Sequence, residues 1–132
     1  MKIVIDTNVV ASAVFFGGKP RILLEMLMKR QVEAYASPSI INEYQETCDE
    51  LLSRYPVKPL LLPLNHIISA CRLIEPQSKV SVCRDPDDNK FIECAMDAGC
   101  VYIVSGDKDL LSVKAHAGIR IVTVADFLDA LV

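Results

Sequence analysis

A run of three apolar residues, Ile3 to Ile5, ends abruptly on a carboxylate, Asp6, and is followed by the cap formers Thr7 and Asn8. Apolar residues in unbroken succession suit a strand buried on both faces, as in a parallel sheet covered by helices. An acid placed directly after such a strand lies at its carboxyl end, and open α/β sheets bind their ligands at that edge. A bland turn at this place would not need an acid.

The rest of the chain supplies the partners such a strand requires. Thr7 or Asn8 caps a helix over Asn8 to Phe16, which Gly17-Gly18 ends, and Pro20 opens a second helix to about Arg30. That helix carries Ile22, Leu23, Met26 and Leu27 as an apolar stripe suited to the core or to a subunit contact. Glu33 to Ala36 reads as a short strand, and Ser37-Pro38 as the cap and first-turn proline of a helix with Ile41, Tyr44, Cys48, Leu51, Leu52 and Tyr55 at helical spacing. Pro56, Pro59 and Pro63 break a connector, after which a helix runs from Leu64 to about Ile74. Val80 to Cys83 reads as a third strand leading into Arg84-Asp85-Pro86-Asp87-Asp88-Asn89, and a helix then continues through Ala98 to the stop at Gly99. Val101 to Val104 is a fourth strand that delivers Ser105-Gly106-Asp107 to a turn. A short helix from Lys108 to Val113, a strand from Ile119 to Val122 and a helix from Val124 to Leu131 complete the chain. Strands alternating with helices predict an α/β fold with a parallel sheet, because parallel neighbours need crossovers.

At 132 residues and 52% apolar content, the chain has material for one well-buried core, and a single domain over 1–132 is expected. A net charge of −3 argues against holding nucleic acid by a general basic surface, so a polyanion would need a local basic rim or metal ions. Five cysteines form no C-x-x-C pair, which favours reduced thiols in a cytoplasm over zinc. Lys2 is followed by only three apolar residues before a charge, and the longest apolar runs fall short of a membrane span, so a cytoplasmic, non-membrane protein is expected.

The residues able to do chemistry are acidic: Asp6, Glu43, Asp88 and Asp107, with Asp85, Asp87 and Asp109 as near rivals. Asp6 and Asp107 follow buried strands and emerge on the same sheet edge, and Asp88 opens a helix at that edge. An all-oxygen group of this kind favours a hard cation such as Mg²⁺ or Mn²⁺. Each acid also has an ordinary alternative. Asp85-Pro86 is what a cap and first-turn proline look like, leaving Asp87 and Asp88 to complement a helix dipole. Glu43 alone reads as a solvated helix residue, and Asp107 as the cap of the short helix after it. The four acids arriving in this order at strand ends and helix starts weigh against coincidence. His66 and His116 fall outside the group, and Gly17-Gly18 lacks the further glycines and lysine of a phosphate loop.

Four blocks, Ile-Val-Ile-Asp-Thr-Asn-Val, Pro-Ser-Ile-Ile-Asn-Glu-Tyr, Arg-Asp-Pro-Asp-Asp-Asn-Lys-Phe-Ile-Glu-Cys-Ala and Tyr-Ile-Val-Ser-Gly-Asp-Lys-Asp-Leu-Leu, resemble the PIN-domain family in order and over nearly the whole chain, in particular its VapC-like toxins. The resemblance implies a three-layer fold with a central parallel sheet of four or five strands flanked by helices. It also implies a Mg²⁺- or Mn²⁺-dependent ribonuclease whose catalytic and metal-binding acids are Asp6, Glu43, Asp88 and Asp107, supported by Asn8 and Ser105. Homodimerisation and a small antitoxin that covers the site are further implications. Lys19, Arg21, Arg84, Lys90 and Lys108 lie near the acids along the chain and suit a rim for RNA phosphates. The rivals are a PIN-fold binding module without strong nuclease activity, a Mg²⁺-dependent phosphohydrolase with Asp6 as nucleophile, and a signalling module that accepts phosphate on aspartate. Phosphohydrolase chemistry usually places a second acid two residues after the nucleophile, where this chain has Asn8, and no lysine stands clearly where the signalling module needs one.

Overall fold

The amino-terminal apolar run forms the central strand β1 (Lys2–Ile5), and Ile3, Val4 and Ile5 are almost wholly buried. In this computed structural model, which describes residues 1–56 and 60–131, β1 pairs in parallel with β2 (Glu33–Ala36) on one side. On its other side it pairs in parallel with β4 (Tyr102–Val104). Two-sided pairing and two-sided burial are what its continuous hydrophobicity requires. Outward from β2 comes β3 (Arg72–Leu73), and outward from β4 come β6 (Ile119–Val122) and an antiparallel β5 (Ala115–His116). The sheet thus has six strands in the order β3-β2-β1-β4-β6-β5, one or two more than expected and antiparallel only at β5.

Helices cover the sheet. α1 (Thr7–Phe15) starts one residue earlier than its composition suggested, because Asp6, rather than Thr7 or Asn8, is the cap. Gly17 and Gly18 both have positive φ, +82° and +66°, which permits the sharp turn into α2 (Gly18–Met28). Its buried residues are Leu23, Leu24 and Leu27, whereas Ile22 is half exposed. In α3 (Pro38–Arg54) the Ser37 hydroxyl accepts from the Ile40 amide at 3.3 Å, and Ile40, Tyr44 and Cys48 point inward. The connector that follows includes Pro59, which falls outside the described residues. α4 (Leu64–Ala70) is shorter than its apolar pattern suggests, since the chain leaves the helix at Cys71 to enter β3.

Val80 to Cys83 is not a strand. Its backbone donors are taken by side chains of the following helix: Val80 N–H by Glu93 at 3.0 Å, and Val82 and Cys83 N–H by Asn89 Oδ1 at 3.2 and 3.0 Å. A 3₁₀ turn at Pro86–Asp88 then leads into α5 (Asn89–Ala98), which packs across β1, β2 and β4 and ends at Gly99 with φ +70°. α6 (Lys108–Leu111) and α7 (Val124–Ala130) follow β4 and β6. Among the described residues no helix is long and apolar enough to cross a membrane.

One buried tether fixes the carboxyl end of the central strand: the Tyr44 hydroxyl of α3 donates to the Ile5 carbonyl. Burial raises the Tyr44 pKa well above its usual value, so the group stays a neutral donor. Tyr44→Phe keeps the ring and leaves that carbonyl without its donor, and should cost about 1–3 kcal/mol in urea unfolding.

Candidate functional site at the carboxyl edge of the sheet

The register that pairs Ile5 with Val104 places the next residues, Asp6 and Ser105, side by side where both strands end. Both side chains are buried, at 4% and 1% exposure, so their polar atoms must be satisfied internally. They satisfy each other: Ser105 Oγ donates to Asp6 Oδ2 at 2.7 Å and accepts from the Asp107 amide at 2.9 Å. Asp6 Oδ1 accepts from the Thr7 amide at 2.7 Å. One serine hydroxyl therefore joins the acid after β1 to the acid after β4.

Two further groups of side chains flank this pair. On one flank, Thr7 Oγ1 donates to Glu43 Oε1 at 2.7 Å, and the Lys90 ammonium pairs with Glu43 Oε2 and, at 3.0 Å, with Asp87 Oδ2. On the other, carboxylate oxygens of Asp88, Asp107 and Asp109 lie within 4.8 Å of one another. Asp109 stands in the first turn of α6, and its amide donates to Asp107 Oδ1 at 3.4 Å. Arg84 reaches to 3.9 Å from Asp109 but is 85% exposed, so the pair is a loose one.

The electrostatics follow from burial first and from crowding second. Burial, then a hydrogen bond with Asp107 and the charges of Asp107, Asp85 and Asp6, raise Asp88 to about 7. Asp6 is also raised, chiefly by burial; the hydrogen bonds from Ser105 and Thr7 work against the rise, and the charges of Asp107 and Glu43 add to it. Burial alone would lower Lys90, but its bonds to Glu43 and Asp87 outweigh that and raise it. A hard divalent cation suits the Asp88, Asp107 and Asp109 group on two grounds: every donor is a carboxylate oxygen, and a bound positive charge would offset the burial and the neighbouring Asp107 charge that together lift Asp88.

The sequence-predicted residues are placed as follows. Asp88 and Asp107 come together, with Asp109 as the third member; Asp6 adjoins them through Ser105, and Glu43 adjoins Asp6 through Thr7. Asn8 is exposed and makes no hydrogen bond to these acids; it lines a cleft that Ser105 also lines. Lys19, Arg84 and Lys108 are exposed, whereas Lys90 is largely enclosed by its two carboxylates. Asp85 caps the 3₁₀ turn by accepting from the Asp87 amide at 3.0 Å. Thr7 carries no sequence sign of its link to Glu43, because the bond spans 36 positions.

The fold and this edge define an α/β domain with acids gathered beyond the carboxyl ends of parallel strands. The sequence matches the PIN domain family over residues 2–109, and the chain belongs to that family. It is 37% identical over 118 residues to the uncharacterized protein MJ1680 of Methanocaldococcus jannaschii, an alignment covering 86% of this chain and 76% of that protein. The crystal structure of PAE2754 from Pyrobaculum aerophilum shares the fold at a TM-score of 0.59 and 16% identity, over 99% of this chain and 89% of the other. Family membership points to a nuclease-type function.

The shift at Asp88 has a testable sign. A folded-state pKa of about 7, above the 3.8 of an ordinary aspartate, means that protonation favours folding. The contribution is complete below pH 3.8 and is lost as pH rises through about 7. In EDTA, the wild-type Tm should therefore fall over this range, and Asp88→Asn should flatten the fall. Mg²⁺ at alkaline pH should raise the wild-type Tm more than that of the variant.

Proposed function

We propose that the protein is a metal-dependent endoribonuclease that hydrolyses RNA phosphodiester bonds. The observation that carries the reading is the Ser105 hydroxyl joining Asp6 to the Asp107 amide beside the Asp88, Asp107 and Asp109 carboxylates. Asp88 and Asp107, with Asp6 behind Ser105, would hold Mg²⁺ or Mn²⁺. When bound, such an ion lowers the pKa of an attacking water and neutralises charge at the scissile phosphate. Ser105 keeps Asp6 aimed, and its hydrogen bond works against the rise that burial imposes on that carboxyl. Glu43, fixed by Thr7 and Lys90, orients the attacking water, and the Lys90 ammonium adds positive charge beside the acids. Lys19 and Lys108 are exposed and available to RNA phosphates along the rim, and exposed Arg84 can exchange its loose pairing with Asp109 for such a phosphate.

The finer parts of the proposal rest on the resemblance of the four blocks to VapC-like toxins. The chain acts as a single PIN domain over 1–132, works in the cytoplasm as a homodimer, and is the toxin of a toxin–antitoxin pair held inactive by a small antitoxin. Growth arrest on expression, relieved by a neighbouring small open reading frame, tests the pairing, and light scattering tests the dimer.

Labelled RNA should be cut in Mn²⁺ and spared in EDTA, while a small phosphomonoester is left intact under both conditions. Asp6→Asn and Asp107→Asn should lose more activity than the roughly 10–100-fold expected of Ser105→Ala, which removes only a supporting contact. Cutting by Asp6→Asn at the wild-type rate, or cutting that persists in EDTA, would sink the assignment. RNA binding without cutting would favour a binding module instead.

A further inference from the structure

Beside the acids, where α1, the first turn of α2, the end of β4 and the start of α7 meet, lies a cleft of about 240 Å³. Val9, Pro20 and Val124 give it apolar walls, and polar groups line its edge. Asn8 and Ser12 stand one helical turn apart on the same face of α1, and among the described residues neither side chain has a hydrogen-bond partner. Thr123 Oγ1 accepts from the Asp126 amide at 3.1 Å, which leaves its hydroxyl proton to donate. The edge thus offers donors from Asn8 and Thr123 and acceptors from Asn8 and Ser12, all uncommitted.

Apolar walls with a mixed donor and acceptor edge match a planar heterocycle. The volume lies below the roughly 300 Å³ at which drug-sized pockets begin, which suits one ring system rather than a dinucleotide. Location narrows the occupant further. Ser105 lines the cleft and is also the side chain that holds Asp6 and the Asp107 amide. Whatever fills the cleft therefore sits one side chain away from the acids, as a base does from its own backbone phosphate.

Resting on the nuclease reading, we propose that this cleft receives one nucleobase of single-stranded RNA next to the bond that is cut, and that Asn8 and Ser12 read its edge. A stacked duplex cannot present a base in this way, whereas a splayed single strand can. The site then has a base preference at one position, imposed by hydrogen bonding rather than by the basic rim.

The test uses the full chain and fluorescent RNA oligonucleotides of one sequence in which a single abasic ribose is moved step by step. In EDTA, where no cutting occurs, one step should lose about tenfold in affinity or more, and the others little. The same series cut in Mn²⁺ should lose kcat/KM at the bond beside that step. Ser12→Leu, whose added volume enters the cleft, should bind intact RNA as weakly as the wild type binds the sensitive abasic oligonucleotide. If that variant fails to fold, the exposed Asn8→Ala, checked by circular dichroism, should weaken binding of intact RNA and leave the abasic form unchanged. Affinity and cutting indifferent to the abasic position overturn the cleft assignment, as does a folded Asn8→Ala that discriminates like the wild type. Metal-dependent cutting that survives such indifference leaves the nuclease reading standing, whereas RNA neither bound nor cut overturns both.

Discussion

The hydroxyl of Ser105 spends its proton on Asp6 and its lone pair on the Asp107 amide, and both bonds depend on β1 and β4 ending level. Slipping that register by one residue would carry the exposed Lys2 into the place of a buried apolar residue at one end of β1, or draw Asp6 inward at the other. The core enforces it: Ile3, Ile5, Ile103 and Val104 are all essentially buried, and a slipped strand would have to expose them or bury polar neighbours. The geometry of the acids is thus inherited from hydrophobic packing several residues away. Tyr44 extends the same logic to α3, since its hydroxyl holds the Ile5 carbonyl one residue before Asp6.

Gathering carboxylates is costly in the absence of a counter-charge, and the chain manages the cost in two ways. Glu43 is matched by Lys90 and by the Thr7 hydroxyl, so its charge is answered within the protein. Asp88 instead rises to about 7 and can hold a proton near neutrality. The answered carboxylate and the unanswered one lie on opposite flanks of Asp6, a division that leaves the Asp88 side as the place where an added cation gains most.

Where a segment carried its own local logic, the sequence showed it. Glu33–Ala36 and Ile119–Val122 are the observed strands, Ser37 is the observed cap, and Gly99 ends its helix as expected. Segments decided by distant partners could not be read in this way. Val80 to Cys83 has a strand's composition, but Asn89 and Glu93 take its amides. Arg72–Leu73 hides inside a helical pattern because two residues are too few to show a period of two. At the site, chain order brought Asp88 and Asp107 to one edge, but the Thr7 bond to Glu43 spans 36 positions and has no local signature. Asn8, which the family resemblance implies as a support for the acids, lines the cleft beside them.

Both margins of the sheet are finished by very short strands, β3 and β5, of two residues each. Long bare margins invite other chains to add on as further strands, the usual route to sheet extension and fibrous aggregation. Here a visiting strand would find room for only a couple of ladder hydrogen bonds on either side. Any self-association would therefore fall to helix and loop surfaces, where side-chain complementarity rather than backbone pairing selects the partner.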